Sequence, residues 1–235
     1  MSATSNEKRA TRNGFFVTGT DTGVGKTFVA CSLLRAFAAR GLTVVGMKPV
    51  ASGAAPRGNG LVHDDVERLM AAGNVTAPRE HINPYCFAPA IAPHIAAAQA
   101  EMRIDLEHIA RCFNSLAGKA DLVVVEGVGG FQVPLGPGGD TAQLAARLAL
   151  PVVLVVGMRL GCLNHALLTA EAITRRGLAL AGWVANHIDP QMAAVEENVR
   201  TLGTLISAPL LARIAFAAAP DPASGAALVD TRKLL

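Results

Sequence analysis

Residues 19–27 read GTDTGVGKT, between the apolar run FFVT and the helix-like FVACSLLRAF. Glycines at 19, 23 and 25 let the backbone turn so that successive N–H groups face one point, which is how a chain cradles an anion. A helix starting near Lys26 adds the positive end of its dipole, about half a unit charge. In this reading Gly23, Val24 and Gly25 hold nucleotide phosphates, Lys26 reaches the β- and γ-phosphates, and the Thr27 hydroxyl ligates Mg2+. The spacing departs from the usual form once: a glycine is expected five residues before Gly25, where Thr20 stands, and Gly19 lies one place earlier. The alternative is a glycine-rich turn with a chance Lys-Thr pair. A buried strand before and an amphipathic helix after are, however, the context a phosphate loop requires.

Three other stretches carry candidate chemistry. LVVVEGVGG ends an apolar run in Glu126, an acid able to hold Mg2+ directly or through water, followed by the turn Gly127, Val128 and Gly129. MKPVASG presents Lys48 and Ser52. Taken alone, Lys48 reads equally well as a surface lysine. Beside a phosphate loop, the pair would orient an anion near the γ-phosphate. Hydrolysis alone has no evident need of this second cation, whereas transfer to a negatively charged acceptor does, because like charges must approach. In HDDVERL, Asp65 is a candidate metal or nucleotide ligand, although Asp64 and Asp65 are also good helix N-caps. Elsewhere the plain readings hold: Trp183 is sheet core, His81 and His108 lie at the surface, and Cys162 is a small packed residue with only Arg159 as a basic neighbour.

Positioning these groups falls to an alternation of strands and helices. Apolar runs at 15–19, 43–48, 122–127, 152–157 and 182–186, with a weaker one at 209–214, read as strands buried on both faces. Helical stretches fall at about 26–40, 63–72, 105–117, 141–149, 163–176 and 191–206. Gly41 and Gly177 sit where left-handed C-caps are expected, and Asp105 where an N-cap is. The alternation predicts an α/β fold, a three-layer sandwich with a mainly parallel sheet and helices on both faces. Ligands in such sheets bind beyond the carboxyl ends of the strands, and the polar residues above all follow strands. The expected organisation is a disordered extension over 1–13 and one domain over 14–235. The stretch 53–62 reads as a glycine-rich loop and 217–235 as a tail without a clear pattern.

Composition narrows the class. The chain has 235 residues, 51% hydrophobic and 4% aromatic, with a formal net charge of +3, so one domain with a sizeable core is expected and no nucleic-acid footprint. Four scattered cysteines without a C-x-x-C pair argue against zinc or a disulfide framework and for a reducing cytoplasm. No signal peptide or membrane-spanning run is apparent, and no membrane partner is expected.

GTDTGVGKT, KPVASG, NPY-x-F with PHIAA, VEGVGG, LPVVLVVGMRLGCLNHALLTAEAI and GWVAN occur in this order over residues 15 to 212. Together they resemble the dethiobiotin synthetase family of biotin biosynthesis. The resemblance implies a P-loop NTPase-like fold and an ATP- and Mg2+-dependent cyclo-ligase. Its substrates would be 7,8-diaminononanoate (7,8-diaminopelargonate) and CO2, joined through a carbamate and a carbamic–phosphoric anhydride. By matching position it implies Thr27, Asp65 and Glu126 as Mg2+ ligands. Lys48, with Lys26, would be catalytic, and Lys48, Ser52 and Thr22 would meet the carbamate and diamine end. The turn 126–129 and Asn186 would lie against the nucleotide, with His187 and Ala215, Phe216 and Ala217 at the base. It further implies a homodimer whose neighbouring subunit supplies Gly161, Cys162 and Asn164 to the substrate carboxylate.

The chain departs from the family's pattern at several positions. Gly23 stands where some members have Glu, Gln143 where an acid is common, and His187 where Asp is frequent. IAFA at 214–217 replaces a Pro-aromatic stretch, and Asn198 takes the place of a Tyr. The alternatives are an ATP-driven switch of the partition and septum-positioning (ParA/MinD-like) kind or a cobyrinate-synthetase-like ligase. The first usually needs an extra lysine early in the phosphate loop, where this chain has Thr20 and Asp21. The second needs a glutaminase domain for which there is no room.

Overall fold

The computed structural model describes residues 14–58, 60–217 and 221–234, so the expected extension over 1–13 lies outside the described residues. Along the chain, β1 (Gly14–Gly19), α1 (Lys26–Ala38), β2 (Val44–Met47), β3 (Val50–Ser52), β4 (Ala55–Arg57) and β5 (Gly60–Val62) precede α2 (Asp64–Ala72), α3 (Arg79–Ile82), β6 (Tyr85–Phe87), α4 (Pro93–Gln99) and α5 (Leu106–Ala117). Then come β7 (Leu122–Glu126), α6 (Thr141–Leu148), β8 (Val152–Met158), α7 (Cys162–Arg175), β9 (Leu180–His187), α8 (Val195–Leu205), β10 (Leu210–Ile214) and α9 (Pro222–Leu228).

Six strands form one sheet in the order β10-β9-β8-β1-β7-β2, every neighbouring pair parallel. Side chains alternate between its faces, as the pleat demands. Val152, Leu154 and Val156 pack with α5 to α8, while Val153 and Val155 pack with α1 and part of α2. Trp183 is fully buried among the first group, as expected. The connection after β1 runs past β7 to β2, whereas the one after β8 runs the opposite way to β9, so the crevice at the end of β1, beside β8, is the switch point where such sheets bind ligands. Register sets Val17 of β1 beside Glu126 of β7, which brings the two motif-bearing strand ends together.

Local chemistry explains the boundaries. Asp105 caps α5 by accepting the Glu107 N–H at 2.9 Å, and Gly41 and Gly177 have positive φ of 84° and 71°. Gln143 and Asp140 form a reciprocal capping box at the start of α6, a structural use for the amide where an acid was expected. Asn198 bonds back to Ala194 O within α8 and lines neither cavity described below.

Several expectations are corrected. The supposed loop 53–62 contains an antiparallel hairpin, β4 with β5. Neither Asp64 nor Asp65 caps α2; His63 does, its ring accepting the Asp65 N–H at 3.2 Å. His81 and His108 are half-buried, one against Ser115 and the other edge-on to Tyr85. The helix expected from 191 begins at Val195. The tail contains a helix, α9, packed on α1: a Cβ at Gly225 would lie 2.2 Å from Ser32 Oγ. All four cysteines are free thiols, and burial pushes the Cys31 thiol up to about 12.

Candidate active site

The loop between β1 and α1 is built for an anion. Gly25, the N-cap of α1, has φ of 92° and no side-chain cap, and no acid lies in the first helical turn, so the positive end of the helix is open. A Cβ at Gly25 would also fall 2.2 Å from Asn186 Nδ2. The displaced first glycine has a reason: a Cβ at Gly19 would meet Val24 Cγ2 at 2.5 Å and Lys26 Cγ at 3.1 Å. Val24 is buried and pins the loop into the core. Lys26 is 7% exposed and donates to the Asp21 carbonyl at 2.8 Å. Burial, then the repulsion of Lys48, lowers its pKa to about 8.

Beside Lys26 lies a cluster of opposite charges. Lys48, at the turn after β2, is 4% exposed and donates to Glu126 Oε1 at 2.5 Å and Asp65 Oδ2 at 2.9 Å. Burial disfavours its ammonium, but the two carboxylates outweigh that and hold its pKa above the ordinary lysine value. Burial likewise acts to raise Asp65, and Lys48 reverses it, keeping the carboxyl below its usual range. The Thr27 hydroxyl donates to Glu126 Oε1 at 2.8 Å, and Glu126 Oε2 is buried without a hydrogen-bond partner among the described residues.

This arrangement tests the metal reading. Among the described residues no three His, Cys, Asp or Glu side chains gather as a metal cluster. What gathers is two carboxylates and a hydroxyl around a cation, with one carboxylate oxygen unsatisfied. That all-oxygen set suits Mg2+, which binds few protein ligands and completes its shell with phosphate oxygens and water.

The phosphate loop, Lys48, Ser52, Asp65, Glu126, Val128 and Gly129 surround one cavity of about 380 Å3, with Thr22 on its rim. Gly127 takes part through its carbonyl, 3.4 Å from Lys48 Nζ. Among the described residues Ser52 Oγ is buried with no hydrogen-bond partner. An adjoining cavity of about 190 Å3 is lined by Gly23, Gly25, Asn186, His187 and residues 214–217, which brings together the positions expected at the base. Asn186 Nδ2 donates to Val24 O at 2.8 Å, so it also braces the loop. His187 and Phe216 meet edge-on at 6.2 Å.

Five further residues line these cavities: Ala51, His63 and Arg68 the first, Ile188 the second, and Phe28 both. Spacing could have found Arg68, three residues after Asp65 on one helix. His63 directly precedes the acids of HDDV, but histidine is not among the preferred caps.

Gly161, Cys162 and Asn164 line neither cavity of their own chain. Cys162 is buried and its N–H is taken by Arg159 O at 3.0 Å, so that peptide offers no donor to a carboxylate. Arg159 turns instead to Asp21, 2.5 Å away. Leu160, beside them, is 95% exposed.

A phosphate loop opening a parallel sheet at its switch point, with a strand-end acid on the adjacent strand, defines a nucleotide-binding protein of the P-loop class. Solved structures agree on the fold. A ParA family ATPase from Chlorobium tepidum aligns with a TM-score of 0.52 at 14% identity, over 88% of this chain and 86% of that one. The septum site-determining protein MinD from Pyrococcus horikoshii, complexed with Mg-ADP, aligns at 0.51 and 17% identity, over 94% and 88%.

Sequence relationships are closer. Residues 13–223 match the family described as an AAA domain (AAA_26). The chain is 54% identical over 221 residues to the ATP-dependent dethiobiotin synthetase BioD of Nitrosospira multiformis, covering 94% of this chain and 96% of that protein. Identity to the same-named protein of Aromatoleum aromaticum is 53% over 91% and 95% of the two chains, and to that of a Janthinobacterium species 50% over 92% and 93%. The chain belongs to the dethiobiotin synthetase family.

Proposed function

We propose that this protein is an ATP-dependent carbon–nitrogen ligase that closes the cyclic urea of dethiobiotin from 7,8-diaminononanoate and CO2. One amine adds to CO2 and loses a proton, giving a carbamate. A carbamate oxygen attacks the γ-phosphorus of ATP, the bond to ADP breaks, and a carbamic–phosphoric anhydride forms. The second amine attacks its carbonyl carbon, phosphate leaves, and a proton is released from nitrogen. A carbamate is a poor electrophile, so phosphorylation supplies the leaving group that ring closure needs.

The protein's part is positioning and charge. The loop N–H groups of residues 23–25 and Lys26 hold the phosphates, while Lys48 meets the carbamate as it approaches the γ-phosphate. Ser52 and Thr22 orient the diamine end. Thr27, Asp65 and Glu126 would hold Mg2+, which neutralises charge on the transferring phosphoryl group when bound. The adjoining cavity, with Asn186, His187 and residues 215–217, takes the base, and the turn 126–129 lies along the nucleotide. What carries this reading is the second buried ammonium, Lys48, beside a phosphate loop in a chain 54% identical to a dethiobiotin synthetase.

A homodimer would complete the site, with Gly161 and Asn164 of each subunit, rather than the buried Cys162, facing the other's substrate. The exposed Leu160 beside them supports a contact there. Among the described residues no helix is long and apolar enough to cross a membrane, which suits a cytoplasmic enzyme.

The decisive assay couples ADP release to purified protein with Mg-ATP and bicarbonate, with and without the diamine. Turnover that requires the diamine and yields a cyclic urea is expected. Diamine-independent hydrolysis would favour an ATPase switch instead.

A further inference from the structure

His63 caps α2 while its imidazole lines the same cavity as Lys48, Asp65 and Glu126. Both ring nitrogens are engaged. Nδ1 accepts the Asp65 backbone N–H at 3.2 Å, and Nε2 lies 3.1 Å from the Ser52 carbonyl oxygen. A carbonyl only accepts and a backbone N–H only donates, so in these two bonds Nε2 donates and Nδ1 accepts. One side chain thus joins the end of β3 to the first turn of α2.

The covalent route between those points is long and weakly held. It runs through the β4–β5 hairpin, whose first strand is exposed along its whole length. Such a strand has little burial to fix it. The ring is a short cross-brace in place of that route, and its side chain is only 16% exposed. Ser52 lies at the other end, a residue of the cavity lining whose hydroxyl is buried and, among the described residues, unpartnered.

We propose that His63 is a positioning residue for the ligase reaction: it holds the Ser52 hydroxyl at a set distance from the Asp65 carboxylate, and so places the diamine end relative to the phosphoryl end. This rests on the function proposed above. A shorter cap such as Ser, Asn or Asp would satisfy the helix N–H but lacks the second nitrogen that meets Ser52.

The two bonds can be separated by substitution. An Asn side chain mimics the Nδ1 position, so His63→Asn keeps a cap and drops the tie to Ser52. A Gln amide nitrogen mimics Nε2, so His63→Gln keeps the tie and weakens the cap. His63→Ala removes both. Loss of the tie is expected to raise the diamine KM by about tenfold, the scale of one hydrogen bond, with ATP affinity and Tm close to wild type. His63→Gln is expected to restore the diamine KM to near wild type while lowering Tm, and His63→Ala to show both defects. Independently, 15N spectra of the free wild-type enzyme should show His63 protonated on Nε2 alone. Wild-type diamine KM in His63→Asn, or a His63→Gln variant as impaired as His63→Ala, would overturn the inference while leaving the function standing. Wild-type protein without diamine-dependent turnover would overturn the function, and this inference with it.

Discussion

Lys26, Lys48, Asp65 and Glu126 are held within one small volume, and the two ammonium and two carboxylate charges cancel. That balance makes it possible to bury Lys48 and Glu126 at 4% and 1% exposure, since an unpaired charge there would be prohibitive. ATP upsets the balance by adding negative phosphates next to Lys26. With a pKa near 8 rather than 10.5, this lysine is charged in both folded and unfolded protein below about pH 8, where its burial cost to stability is fully present. Between about 8 and 10.5 the folded state gives up its proton first, and that cost fades. Phosphate binding must return the proton. Titration calorimetry in buffers of different ionisation enthalpy should therefore find close to one proton taken up with ATP near pH 9 and almost none near pH 7. No uptake at the higher pH would contradict the burial-driven shift. Lys48→Gln, in turn, should lower kcat by at least ~10²-fold with a smaller change in nucleotide Kd, as for one transition-state charge partner lost. An effect confined to ATP binding would remove Lys48 from the transfer step.

At the scale of elements, the six sheet strands and their long helices could be read from apolar runs and periodicity, because each buries a full face. The three-residue strands β3, β4, β5 and β6 were illegible for the opposite reason: they are too short for a period to show, and β4 buries nothing. The β3–β6 pairing is set by a contact 35 residues apart along the chain, Val50 with Tyr85, which no local pattern announces. Trp183 on β9 anchors the layer of α5 to α8 and is fully buried. Trp183→Ala should cost about 3–5 kcal/mol in urea unfolding through the cavity it leaves. A loss below 1 kcal/mol would mean the layer can collapse around the gap.

At the scale of the whole molecule, each chain carries two joined cavities above β1 and, apart from them, the exposed turn at Leu160 and Gly161. Two such chains facing each other would cover the turn and close the substrate end. Sedimentation should find a dimer at assay concentrations. Mixed dimers of Asn164→Ala and Lys48→Gln subunits should regain part of the activity, because one of their two sites keeps both native residues. Proven heterodimers without recovery would argue that each site is built from a single chain.

Residue order and local chemistry were enough to establish the alternating fold, the phosphate loop and the acid ending β7, because glycine turns, buried runs and helix starts act over a few neighbours. They could not establish where long side chains point. That Lys48 lies between Asp65 and Glu126, that His63 rather than an aspartate caps α2, and that Asn186 braces the loop all depend on strands and turns from distant parts of the chain arriving side by side. Burial then decides these contacts, since a charge or polar group withdrawn from water must find its partner across the fold.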